Sequence, residues 1–376
     1  MTPSSTASLT IDLFCAVIDN FGDAGVCWRL ARQLAREHGC AVRLWVDRCE
    51  VLEAIVPALV GATHCDGVKV GSWEDAEPAK PARLVIEAFA CNPPASFVQR
   101  MAAARPSPLW INLEYLSAED WVEGCHALPS PQANGLRKFF FFPGFTPATG
   151  GVIKENGLDA ARRAFQASPA AQAAFWQGLG AAPQPDALRI SLFAYENAAV
   201  AGLLDAWAGG DAPVFCAVPV GRVLPQVERW AGLPLAPGSV VARGALQLTV
   251  LPWLTQDDYD RLLWACDLNF VRGEDSFVRA QWAQRPFVWH IYQQDEDAHR
   301  IKLAAFLDRY AGGASAGPLR DFWQAWDVQQ NAAGAWPALR QALPELKERA
   351  ETWAERVASH GDLASKLLIF SKPLLE

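Results

Sequence analysis

Strand-sized apolar runs alternate with segments of helical period along almost the whole of this 376-residue chain, and few folds accept that order. LTIDLFCAVI (9–18) is a buried-strand run that ends in the turn Asn20-Phe21-Gly22-Asp23. A helix follows over roughly 25–37, with Val26, Leu30 and Leu34 on one face and Gly39 as its stop. AVRLWV (41–46) and ARLVIEAFA (82–90) read as further strands on either side of the proline-interrupted helix VLEAIVPALV (51–60), so this half runs β-α-β-α-β. SPLWINLEYL (107–116) is a strand leading to Ser117, which with Asp120 predicts a capping box for a short helix. KFFFFPGF (138–145) is another buried strand.

From ALRISLFAYEN (187–197) the pattern starts again. APVFCAVPVG (212–221), LQLTVLPWL (246–254), LNFVRG (268–273) and PFVWHIY (286–292) are strands, separated by helical segments such as QDDYDRLLWACD (256–267) and DSFVRAQWAQ (275–284). Such alternation implies parallel sheets with helices on both faces, and two such units imply an α/β pair of Rossmann-like domains facing a central cleft. The helix 168–180 closes the first half, and AAPQPDA (181–187) has the prolines of a linker. The expected domains are therefore 1–182 and 183–354, with a tail helix of about 355–376 packing back on the first.

Charge and composition narrow the function. Lys and Arg number 33 against 41 Asp and Glu, a net charge of −8, and no cationic stripe is present to neutralise a nucleic-acid backbone. No stretch approaches the apolar length of a membrane span, and the N-terminus lacks the basic start of a secretory signal, so a cytoplasmic protein without membrane contact is expected. The nine cysteines lie singly, with no Cys-x-x-Cys pair, which argues against structural zinc.

In an open α/β sheet ligands sit beyond the carboxyl ends of strands, which singles out two places. The first is Asp19-Asn20-Phe21-Gly22-Asp23, two carboxylates beside a glycine turn at a helix start. They could take a proton or hold a cation; equally, Asp23 could cap the helix and Asp19 close a turn. The second is Arg272-Gly273-Glu274-Asp275-Ser276, where a glycine turn, helix N–H groups, a hydroxyl and a guanidinium suit a diphosphate. The helix dipole alone would also account for its two acids, which could otherwise accept from sugar hydroxyls. Phe193 and Tyr195 end one strand of the second half, and Trp253 and Gln256 follow another, a set able to stack on and hydrogen-bond a base.

Three other patterns carry less. Gly313-Ala314-Ser315-Ala316-Gly317 spells a nucleophile elbow but follows a helix instead of a strand. His290 and His299 near Asp295, Glu296 and Asp297 could form a metal site, but His290 lies inside an apolar run. Gly22 and Gly25 with Asp47 loosely match a dinucleotide fingerprint, which leaves an oxidoreductase as a weak alternative.

The runs Val17-Ile18-Asp19-Asn20-Phe21-Gly22-Asp23, Ile86-Glu87-Ala88-Phe89-Ala90-Cys91, Asn112-Leu113-Glu114-Tyr115-Leu116-Ser117 and RGEDSFVRAQ (272–281) resemble the EarP family of bacterial protein-arginine rhamnosyltransferases, which modify elongation factor P. The resemblance implies a GT-B fold and an inverting, metal-independent transfer from dTDP-β-L-rhamnose, with no cofactor. It implies Asp23 as general base, Asp19 as its neighbour and Glu274 as a second catalytic acid, with Asn20, Phe21 and Gly22 in the same donor-contacting loop. Tyr195, Arg272 and Ser276 match the diphosphate-binding group, and Phe193, Gln256 and Asp275 match contacts to thymidine; where the family often has Phe, this chain has Trp253. The alternatives are a GT-B transferase with another sugar or acceptor, and a non-catalytic nucleotide-sugar-binding module.

Overall fold

Strands that are apolar on both faces have to be covered on both sides, and helices supply the cover. The structure, a computed structural model, describes residues 8–18, 21–293, 298–311 and 317–376. The chain divides into two compact units, Met1–Asn156 with Val357–Glu376, and Gly157–Arg356.

The first unit holds β1 (Thr10–Cys15), β2 (Ala41–Val46), β3 (His64–Cys65), β4 (Val68–Ser72), β5 (Leu84–Ala88), β6 (Leu109–Leu113), β7 (Pro129–Pro131) and β8 (Arg137–Phe141) in the order β3-β4-β2-β1-β5-β6-β8-β7. The pairs from β4 to β8 are parallel, so the sequence turns outward in opposite directions from β1 and β5. That is a topological switch point. One side of this sheet packs Phe14, Trp45, Phe97, Met101 and Trp110, with Phe14 edge-on to Phe97 at 4.8 Å between centroids.

The second unit holds β9 (Leu188–Leu192), β10 (Val214–Pro219), β11 (Val240–Arg243), β12 (Leu246–Leu251), β13 (Leu268–Arg272) and β14 (Phe287–His290) in the order β11-β12-β10-β9-β13-β14. Its switch point lies between β9 and β13. The sheets are not wholly parallel: β3, β7 and β11 each pair antiparallel at an edge.

Three other expectations change. The units part at Asn156–Gly157 instead of near Pro183. The helices Leu158–Gln166 and Pro169–Gly178 go with the second unit because Phe165 packs on Trp264 at 5.9 Å and Trp176 on Phe215 at 5.4 Å. The first helix begins at Gly22, three residues early, since Gly22 and Gly25 are helical residues and not the turn. No capping box forms at Ser117: its hydroxyl accepts from Glu119 N at 3.1 Å, and the short helix is Trp121–Cys125. A capping box does form at Ser72 and Asp75.

Candidate active site

Each unit gathers sequence-predicted residues at its own switch point. In the first unit they follow β1. Phe21 is the N-cap of the helix Gly22–Arg36, and Asp23, in its first turn, is 1% exposed. Its carboxylate does not act as a cap. Oδ2 accepts from Ile18 N at 2.9 Å and Oδ1 from the Tyr115 hydroxyl at 3.1 Å, so the side chain ties the loop after β1 to the chain after β6. Asp19 and Asn20 lie outside the described residues.

Two features here had no signal in composition. Phe89 and Ala90, directly after β5, both adopt left-handed backbone, with φ of 58° and 53°. Non-glycine residues held there cost of order 1–2 kcal/mol each. Phe89 N donates to Leu113 O at 2.7 Å and Ala90 N to Asn112 Oδ1 at 3.0 Å, and those bonds hold the kink in place. The kink lays the Phe89 ring flat on Tyr115, centroids 4.1 Å apart and planes within 10°. Asp47, the acid of the fingerprint-like pattern, accepts from Val17 N at 2.9 Å.

In the second unit the cluster forms where β9 and β13 end. Arg272 is 7% exposed, and its guanidinium carbon sits 4.7 Å from the ring centroids of both Phe193 and Tyr195. Its Nε is buried with no hydrogen-bond partner among the described residues. Gly273 takes φ 63°, the conformation that lets the chain turn from β13 into the helix Asp275–Ala283, and its carbonyl accepts from Trp289 Nε1 at 3.1 Å. Ser276 braces this turn: Oγ accepts from Arg272 N at 2.9 Å, and its hydroxyl is bonded to the Arg272 carbonyl.

Glu274 is the half-buried N-cap residue, yet its carboxylate does not make the capping bond. Asp275 accepts from Gln256 Nε2 at 3.3 Å, which links the start of the helix Gln256–Ala265 to the same turn. Trp253 is 40% exposed just after β12. Strand register sets His290 beside Arg272, with its ring 5.2 Å from Tyr195. Burial, and then the Arg272 charge, pushes the His290 imidazole down to about 3, so it adds no second cation. His299 Nε2 lies 3.7 Å from Asp327 Oδ1, and among the described residues no group of three or more metal-ligating side chains forms. Residues 294–297 and 312–316, which include the acids of the metal-site pattern and most of the elbow-like one, lie outside the described residues.

The rest of the RGEDSFVRAQ run is scaffold. Arg279 forks onto the Asp260 carboxylate at 2.9 and 2.6 Å, Gln281 Nε2 donates to Phe277 O at 3.0 Å, and Phe277 stacks on Trp289 at 3.8 Å. Among the described residues no helix is long and apolar enough to cross a membrane.

Comparison with known proteins gives the family and the fold. A family model described as Elongation-Factor P (EF-P) rhamnosyltransferase EarP matches residues 11–372. A protein-arginine rhamnosyltransferase of Pseudomonas putida is 54% identical over 372 residues, covering 96% of this chain and 98% of its own. One of Neisseria meningitidis serogroup B is 34% identical over 376 residues, covering 95% and 96%. A solved structure described as the structural basis for EarP-mediated arginine glycosylation of translation elongation factor EF-P superposes with a TM-score of 0.71 at 39% identity, covering 97% of this chain and 99% of that one. TcCGT1 in complex with UDP superposes at 0.52 with 10% identity, covering 98% and 99%, a likeness of fold alone. The fold is of the GT-B type.

Proposed function

We propose, from the premise that the chain belongs to the EarP family of protein-arginine rhamnosyltransferases, that it moves L-rhamnose from dTDP-β-L-rhamnose to an arginine of elongation factor P. The observation that carries the donor half is Arg272. A guanidinium buried between two aromatic rings, with an unpaired Nε at a sheet's switch point, suits an anion that completes its hydrogen bonds. A nucleoside diphosphate is such an anion, and Phe193, Tyr195, Trp253, Gln256, Gly273, Asp275 and Ser276 are the residues proposed to receive its two ends.

The acceptor half rests on Asp23. An arginine side chain is cationic and a poor nucleophile, so a proton has to leave as the new bond forms. In the proposed step the bond from rhamnose C1 to the diphosphate oxygen breaks, and its electron pair stays on dTDP. The guanidine nitrogen bonds to C1 from the opposite face, which inverts the configuration, and the nitrogen's proton passes to Asp23. Glu274 and Asp19 orient the acceptor cation, with Asn20, Phe21 and Gly22 shaping the loop. Arg272 and the helix N–H groups take up the charge that develops on the diphosphate, so the reaction needs neither metal nor cofactor. The cytoplasm, where the factor and the nucleotide sugar meet, is the proposed compartment.

The test is direct. Purified chain, elongation factor P and dTDP-β-L-rhamnose should give a factor heavier by one deoxyhexose, mapped to arginine, and Asp23→Asn or Glu274→Gln should give none. Modification with a different nucleotide sugar alone would point to another GT-B specificity. Tight dTDP binding without any transfer would leave only a binding module.

A further inference from the structure

We propose that Tyr115 is a positioning residue for the transfer, its phenol fixing the Asp23 carboxylate in one orientation and favouring its ionised form. This rests on the reading of Asp23 as proton acceptor. A lone carboxylate on a short side chain can rotate; one that receives a donor on each oxygen cannot. Asp23 has both: Ile18 N on Oδ2 at 2.9 Å and Tyr115 Oη on Oδ1 at 3.1 Å. Both bonds favour the anion over the neutral acid, because a neutral carboxyl accepts more weakly.

Tyr115 is itself held. Its ring lies flat on Phe89, which the bonds from Phe89 N to Leu113 O and from Ala90 N to Asn112 Oδ1 keep in a left-handed conformation that a phenylalanine does not adopt by preference. Glycine would take that backbone without strain but would have no ring to lend. The strained pair stands where β5 ends, beside β1 at the switch point, so the strain coincides with the proposed chemistry. Three cysteines stand near Asp23. Cys15 ends β1, Cys27 lies one turn along the helix, and Cys91 follows β5; burial raises the Cys27 and Cys91 thiols, so they stay protonated. Glu114 turns its carboxylate to Asn112 Nδ2, and Asp47 is occupied by Val17 N.

Tyr115→Phe keeps the ring stack and removes only the O–H. The expected result is a kcat lower by about tenfold at neutral pH, a donor KM within about twofold of the parent, and an acidic limb of the kcat profile displaced upward by about one pH unit. A residue that merely packed would change the melting temperature and leave that limb where it was. If the Tyr115→Phe profile superimposes on the parent's while Asp23→Asn is inactive, the positioning role is wrong and the base assignment stands. If Asp23→Asn transfers at the parent rate, the base assignment itself fails and the inference falls with it.

Discussion

Arg272 shows how a single side chain can be poised for a ligand. Leaving a buried N–H unpaired costs about 1–3 kcal/mol, a cost that persists at sites where binding recovers it. Replacing it with lysine keeps the charge but removes the planar fork and the flat contact with Phe193 and Tyr195. Arg272→Lys should therefore weaken dTDP binding by about tenfold to a hundredfold in calorimetry, and an unchanged Kd would sink the anion-site reading. A second buried charge has a structural task. Asp12, fully buried in β1, accepts from Arg43 Nε and Nη2 at 2.7 and 2.8 Å, Trp45 Nε1 at 2.8 Å and Ala82 N at 2.8 Å. Asp12→Ala strands Trp45 Nε1 and Ala82 N, while the partly exposed Arg43 keeps Lys80 O, and should lower unfolding stability by about 2–4 kcal/mol in denaturant titration. Neither Asp12 nor Tyr115 was legible beforehand as a key contact. Their partners lie 31 and 92 residues away, and no local pattern encodes such a meeting.

At the scale of elements, the long strands and helices were legible because burial on both faces produces uninterrupted apolar runs, and half-burial produces a helical stripe. The edge strands β3, β7 and β11 were not, since two to four residues in a polar setting carry no period. The unit division was misread for a related reason: the prolines near 183 mark a loop within the second unit, while the real break has only the left-handed Gly157. The C-terminal helix Leu363–Leu375 joins the first unit through close backbone contact. Val152 bridges Asp362, Gln33 Nε2 donates to Asp362 Oδ1 at 3.2 Å, and Lys366 Nζ donates to Thr149 O at 2.7 Å. Gly151 permits this approach: it takes φ 74°, and a Cβ there would stand 2.4 Å from Gly361 O. Gly151→Ala should loosen that helix, seen as faster amide exchange across 363–375 at unchanged exchange in β9–β14; equal protection in the parent and the variant would show that the loop has room to shift.

Across the whole molecule, each unit carries a histidine that resists protonation, and the two link global stability to pH. In the first unit His126 Nδ1 accepts from Phe142 N at 3.1 Å, so protonation would break that bond, and burial, with a smaller effect from Lys366, lowers the group to about 4. In the second unit burial first, and Arg272 next, lowers His290 to about 3. Both folded values lie below the ordinary value near 6.5, so the unfolded chain binds protons first as pH falls. Their contributions are intact above about pH 6.5 and are lost on the way down to about 4 for His126 and about 3 for His290, with His290 alone worth at most ~1.4 kcal/mol per pH unit. His290→Gln removes one of the two titrations. Its stability from urea unfolding, measured at steps between pH 7 and pH 4, should fall less steeply than the parent's, and His126→Gln together with His290→Gln less steeply still. Parallel curves for the parent and both variants would mean that carboxylates alone set the acid limit, with the imidazoles taking up protons no more readily in the unfolded chain than in the folded one.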